Sequence, residues 1–168
     1  MRRIVHILFD STLKIKYLVR AGFLIGKFGS FGKLISVLID KVLYLFFSME
    51  VCSRFVDVQN LIVSHSVGVV LGGTGIKCTG TLRVASGVVF GVDMNDNTNL
   101  KRPAFNVDGD LTVGANAVII GPTQFTGPVV VGALTFLKLS GAQKGTYVGN
   151  PARCLKNDID VKKNPVAE

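Results

Sequence analysis

The spacing of apolar residues changes once along the chain, close to residue 50. Upstream, Ile4, Leu8, Ile15, Leu18 and Ile25, then Leu34, Leu38, Val42 and Leu45, recur at intervals of three, four and seven, the periodicity of helices with one apolar stripe. The stretch Gly26-Lys27-Phe28-Gly29-Ser30-Phe31-Gly32 interrupts them. Each interior glycine costs a helix about 1 kcal/mol, so two helices are predicted within residues 1–48. Downstream, Val107, Val113, Ile119, Phe125, Val131 and Leu137 stand six apart without a break. Ile76, Leu82 and Val88 share that spacing, and Val63 and Val69 form a third piece one residue out of phase.

Six is neither a helical period nor that of an alternating strand. It fits a solenoid in which each hexad is a short strand and a sharp turn, three hexads close a triangular coil, and one aliphatic side chain per hexad stacks along the axis. Burying each such side chain is worth about 1.5–3 kcal/mol, set against the entropy of ordering its hexad. The chain is therefore predicted to be mainly β, with a parallel β-helix over residues 50–155, a basic amphipathic helical segment over 1–49 and a tail over 156–168. From Val88 to Val107 the spacing is nineteen, not six, which predicts an inserted loop of about thirteen residues within 91–105. It contains the polar, turn-forming run Met94-Asn95-Asp96-Asn97-Thr98-Asn99, and long loops leaving rigid scaffolds commonly carry function.

Composition agrees: nineteen glycines and no tryptophan in 168 residues suit many tight turns around one core. Of the net charge of +8, about five fall in residues 1–50, interleaved with aliphatic and aromatic side chains in helical order. That distribution suits a membrane-facing surface better than a nucleic-acid groove, and no recognition helix or aromatic-studded basic face is evident. Such helices can cap the solenoid, pack on a neighbouring subunit or lie on a membrane, and packing within an oligomer is the plainest of the three. Met1-Arg2-Arg3 and the apolar residues after it resemble a signal peptide, but Asp10, Lys14 and Lys16 interrupt it early. Lys27, Lys33, Asp40 and Lys41 break up any apolar run of the roughly twenty residues that a bilayer demands. A cytoplasmic protein is expected, with peripheral contact at the inner face of the membrane left open. Cys52, Cys78 and Cys154 form no CxxC pair and only His6 and His65 accompany them, so no metal site is expected.

Four strings in fixed order carry a resemblance: Val63-Ser64-His65-Ser66-Val67-Gly68-Val69-Val70, Lys101-Arg102-Pro103, Val113-Gly114-Ala115-Asn116-Ala117 and Val148-Gly149-Asn150-Pro151-Ala152-Arg153. Together, over roughly residues 50–155, they resemble the serine acetyltransferase branch of the hexapeptide-repeat acyltransferases. The resemblance implies a left-handed β-helix, a homotrimer, and acetyl-CoA as acyl donor in a cleft between neighbouring coils. It implies His65 as the catalytic histidine, a general base that takes the proton of a hydroxyl acceptor attacking the thioester; an imidazole, whose ordinary pKa is about 6.5, suits that work. The family's orienting carboxylate lies fifteen positions before its histidine, which here is Glu50, one methylene longer than the family's Asp; a solvated surface position is the other reading. Gly114, Ala115, Gly132 and Ala133 are corners where backbone can approach pantetheine, or equally are obligatory tight turns. Lys138 and Arg153 are candidates for the CoA phosphates.

Two departures bear on the acceptor. Ser64 stands where serine acetyltransferases carry Asp, and Leu100-Lys101-Arg102-Pro103 stands where they carry Asp-Arg-His-Pro; both family positions help hold the amino acid. Ser64, Lys101 and Arg102 are therefore the candidate acceptor-binding residues, the two cations suited to a phosphate or carboxylate. A sugar hydroxyl is favoured, as in the acetyltransferases of capsule, exopolysaccharide and lipopolysaccharide pathways. Serine O-acetylation, amino-sugar N-acetylation and a catalytically silent scaffold stay open.

Overall fold

The computed structural model describes residues 11–93 and 102–155. Each hexad turns two side chains inward: Leu111 and Val113, then Val129 and Val131, are all buried, because residues two apart on a strand share a face. The two sequence tracts are consequently two neighbouring columns of one register. Ile76 pairs with Phe105 while Cys78 pairs with Val107.

That register corrects the size of the insert. Phe105 and Thr123 are one coil and 18 residues apart, whereas Ile76 and Phe105 are one coil and 29 residues apart, so the excursion adds eleven residues. The expected thirteen came from treating Val88 and Val107 as one column. Gly91 and Val92 belong to a strand, and Ala104 and Phe105 are buried, so the insert is also narrower than 91–105. Residues 94–101 lie outside the described residues.

The coils form a left-handed β-helix of about 4 turns with three flat faces. One face stacks β1 (Glu50–Val51), β3 (Val70–Leu71), β5 (Val89–Val92), β8 (Val118–Gly121) and β10 (Phe136–Lys138) in that order. The longer strands β2 (Val56–Val63), β4 (Ile76–Val84), β9 (Thr123–Val131) and β11 (Gly141–Val148) bend at a corner and serve the other two faces. In the third coil β6 (Phe105–Asp108) and β7 (Leu111–Val113) divide that duty. The last strand, β12 (Arg153–Leu155), pairs antiparallel with β11 and ends the stack.

Two helices, α1 (Ser11–Ile25) and α2 (Gly29–Phe47), pack as a hairpin over the first coil. α1 buries Ile15, Val19 and Phe23, and its Thr12 hydroxyl, Lys16 and Arg20 reach Val63 O, Asn60 and Asp57. A Cβ at Gly22 would fall within 2.1 Å of Ser53 Oγ, so only glycine lets helix and coil approach this closely.

The face that α2 turns inward is the surprise. Gly32, Ser36 and Leu43 are its buried residues, while the apolar stripe Leu34, Leu38, Val42 and Leu45 faces outward. Small residues bring α2 against the coil, where Ser36 Oγ lies 3.2 Å from Ser53 Oγ and Asp40 Oδ1 accepts the Ser53 N–H at 3.0 Å.

Burial raises the Asp40 carboxyl above its ordinary pKa, against the opposing hydrogen bonds from Ser53. A raised carboxyl contributes stability that is present at low pH and is lost as pH rises through the folded-state pKa. Asp40→Asn keeps an acceptor for Ser53 and removes the charge. Its melting temperature should rise relative to wild type at pH 8 and barely change at pH 4; a loss at pH 8 would contradict the assignment.

Candidate functional site

His65 sits on one edge of the prism, at the corner where β2 turns towards β3. The corner is held by backbone alone: Ser64 N–H donates to Val84 O at 3.0 Å, Val69 N–H to Ser66 O at 3.1 Å and Gly68 N–H to Ser48 O at 2.9 Å. Ser64 and His65 are both exposed. The same edge rises through the later coils, since Ala85 N–H bonds Val113 O, Gly114 N–H bonds Val131 O and Gly132 N–H bonds Tyr147 O. Ser64, Ala85, Gly114, Gly132 and Val148 thus form one column, and His65, Ser86, Ala115 and Ala133 the next.

Each coil takes this corner through a left-handed residue: Gly68 (φ 72°), Gly87 (φ 66°), Asn116 (φ 56°) and Leu134 (φ 57°). Asn tolerates that region; Leu rarely occupies it. Leu134 is also 72% exposed, and its signal in the sequence is that Val131-Gly132-Ala133-Leu134 departs from Val113-Gly114-Ala115-Asn116.

The two glycines have a structural duty here. A Cβ on Gly114 would lie 2.5 Å from Ala133 N, and one on Gly132 would lie 2.9 Å from Val148 Cγ1. They are bare because the next coil stacks on them. Ala115, half-buried, and Ala133, exposed, present the open surface of the edge. Arg153, exposed, pairs with Val148 at the top of the column. It lies five strand steps beyond β2, or about 24 Å at about 4.8 Å per step.

The remaining candidates stand apart. Glu50 pairs with Val70, five residues past His65 and round the corner, because the first coil takes 20 residues between partners. No side-chain hydrogen bond or ion pair joins Glu50 and His65 among the described residues. Glu50 instead helps line a cleft of about 370 Å³ with Val37, Asp40, Lys41 and Tyr44. Lys138 lies at the far end of β10, its Nζ 2.6 Å from Asp93 at the root of the insert. Lys101 lies outside the described residues. Arg102 is exposed on a different edge, its guanidinium 4.6 Å from the Phe55 ring centre.

Arg102 has company that the sequence did not reveal. Arg54 stacks 4.7 Å from the same Phe55 ring, and both arginines line a cleft of about 210 Å³ with Phe23, Asp57, Lys77 and Pro103. Arg54 and Arg102 are 48 residues apart in sequence, so no local pattern links them.

No known family's sequence profile matches the chain, and no curated protein matches it in sequence. Solved structures do match in shape. The serine acetyltransferase from Brucella abortus strain S19, in complex with coenzyme A, superposes with a TM-score of 0.76 at 17% identity, over 90% of this chain and 58% of that one. The fold is that of the serine acetyltransferases. Soybean serine acetyltransferase complexed with serine gives 0.75 at 20% identity over 89% and 60% of the two chains. The Neisseria gonorrhoeae serine acetyltransferase in complex with serine gives 0.73 at 17% over 91% and 60%. The chain therefore spans somewhat over half the length of these serine acetyltransferases. Among the described residues no group of His, Cys, Asp or Glu is arranged to hold a metal ion.

Proposed function

We propose that the chain is an acetyl-CoA-dependent O-acetyltransferase with His65 as general base. The observation that carries this is one edge of a serine acetyltransferase fold on which an exposed histidine stands below a rising column of small residues. The edge fits the donor. Ala115 and Ala133 leave it unobstructed, Leu134 offers an apolar contact, and Arg153 places a guanidinium for phosphate at the end away from His65.

His65 accepts the acceptor's O–H proton as that oxygen bonds to the thioester carbonyl carbon. The C–S bond then breaks, and the imidazolium returns the proton to the departing sulfur.

The acceptor we favour is a sugar hydroxyl. Ser64, not a carboxylate, stands beside His65, and Arg102, with Arg54 next to it, suits an acceptor carrying phosphate or carboxylate. Serine is the second reading, favoured by the serine complexes of the neighbouring structures. Since His65 and Arg102 occupy different edges of one chain, they share a site only across a subunit boundary. A homotrimer, in which one prism's insert edge meets the next prism's histidine edge, supplies that boundary. Glu50 joins the site only if its side chain swings round the corner, so His65 acts here without a fixed carboxylate partner.

Titration calorimetry of the full chain with acetyl-CoA tests the donor site: saturable binding is expected, weakened about tenfold by Arg153→Ala. No binding by wild type would overturn the reading and leave the silent scaffold.

A further inference from the structure

The outward stripe of α2 needs a partner, and its chemistry says which. At 100° per residue, Phe31, Leu34, Leu38, Val42 and Leu45 fall within an arc of about 80°. Gly32, Ser36 and Leu43, the buried residues, point the other way. A solvent-facing helix surface ordinarily carries polar side chains there. Instead Phe28, Phe31, Leu45 and Phe46 are 72–77% exposed, a contiguous apolar surface of the kind that marks an interaction site.

At 100° per residue Lys41 borders the stripe, and Lys27 and Lys33 are also exposed on the helix and its leading turn, Lys27 with its ammonium 4.2 Å from the Phe23 ring centre. Residues 1–50 hold eight Lys and Arg against Asp10, Asp40 and Glu50, and of the eight Lys16 and Arg20 are turned to the coil. A second copy seated on this face would bring like charges together; an anionic surface would complement them. No described helix is long and apolar enough to cross a membrane, which leaves an in-plane arrangement, apolar stripe among acyl chains and lysines at the headgroups.

We propose that α2 docks the protein peripherally on an anionic lipid surface. The docking stands independently of the acetyl-transfer reading, because it rests on α2 alone. It has a consequence for that reading: α2 ends at Phe47, and the carbonyl of Ser48, which caps it, accepts the Gly68 N–H, three residues from His65. The His65 coil is thereby held beside the lipid, where a lipid-linked acceptor would be presented.

Vesicle flotation of the full chain tests the proposal without any turnover measurement. Phosphatidylcholine vesicles containing about one third phosphatidylglycerol should bind at least tenfold more protein than pure phosphatidylcholine, and high salt should reduce the difference. Phe31→Ser with Leu38→Ser, both at exposed positions, should lower binding about tenfold with an unchanged melting temperature. Lys33→Glu with Lys41→Glu should abolish the preference for anionic vesicles. Equal binding to both vesicle types, or binding to neither, overturns the proposal. So does an oligomer that dissociates on Phe31→Ser with Leu38→Ser, an outcome that assigns the face to a subunit contact.

Discussion

His65→Ala should lower acetyl transfer by a factor of about 10²–10⁴ while shifting the melting temperature by no more than about a degree. The two halves of this expectation have separate causes. The imidazole is exposed and makes no side-chain hydrogen bond among the described residues, so the fold loses nothing with it. The corner stays closed through the amides of Ser64, Gly68 and Val69. With His65 as the proposed base, the acceptor oxygen, by contrast, loses the group that would take its proton. His65→Asn, which can hydrogen-bond but cannot accept a proton at neutral pH, should be nearly as slow as the alanine variant. Rates for both variants near wild type would place the base elsewhere.

Phe105→Ala should cost about 3–5 kcal/mol, a large share of the 5–15 kcal/mol typical of a whole domain, and lower the melting temperature by roughly 10 °C or more. Phe105 is fully buried and meets Phe90 edge to face with ring centres 5.1 Å apart. A Cβ on Gly121 would lie 2.7 Å from the Phe105 ring, so the ring fills its space as far as the next strand's backbone. The parallel ladders to Ile76 below and Thr123 above fix the coil spacing, and the hole left by alanine cannot collapse. Phe105 is moreover the first strand residue after the insert, so its loss loosens the point at which that loop rejoins the solenoid. Thermal and urea melts would show the effect; a loss under about 1 kcal/mol would mean that the interior rearranges freely.

The repeat was legible because the column Val107, Val113, Ile119, Phe125, Val131 and Leu137 carries a large apolar side chain at every step. Its neighbour was hidden by chemistry. Thr123 and Thr135 occupy inward positions of that second column and are buried, with the Thr123 hydroxyl satisfied by Leu139 O at 2.7 Å, so a search for apolar periodicity passes over them. The miscounted insert follows from that gap.

In α2 the apolar periodicity is helical, yet its stripe faces outward. Periodicity locates a stripe; it does not say whether the chain itself covers it, and the small residues that α2 buries, Gly32 against the Ile25 carbonyl and Ser36 against Ser53, carry no apolar signal. His65, Ala115 and Ala133 fall on one edge because hexad spacing carries equivalent corners from coil to coil. Arg54 and Arg102 meet over Phe55 because a coil turn brings distant segments together, which no local motif announces.

The most direct test of the account is the rate at which free CoA thiol appears when the purified full chain is given acetyl-CoA with serine, nucleotide sugars, sugar phosphates or polysaccharide, wild type beside His65→Ala. Acceptor-dependent release with a sugar, lost in the variant, is the predicted result. Release with serine alone would overturn the choice of acceptor, and release that persists undiminished in His65→Ala would contradict the central claim that this histidine is the base.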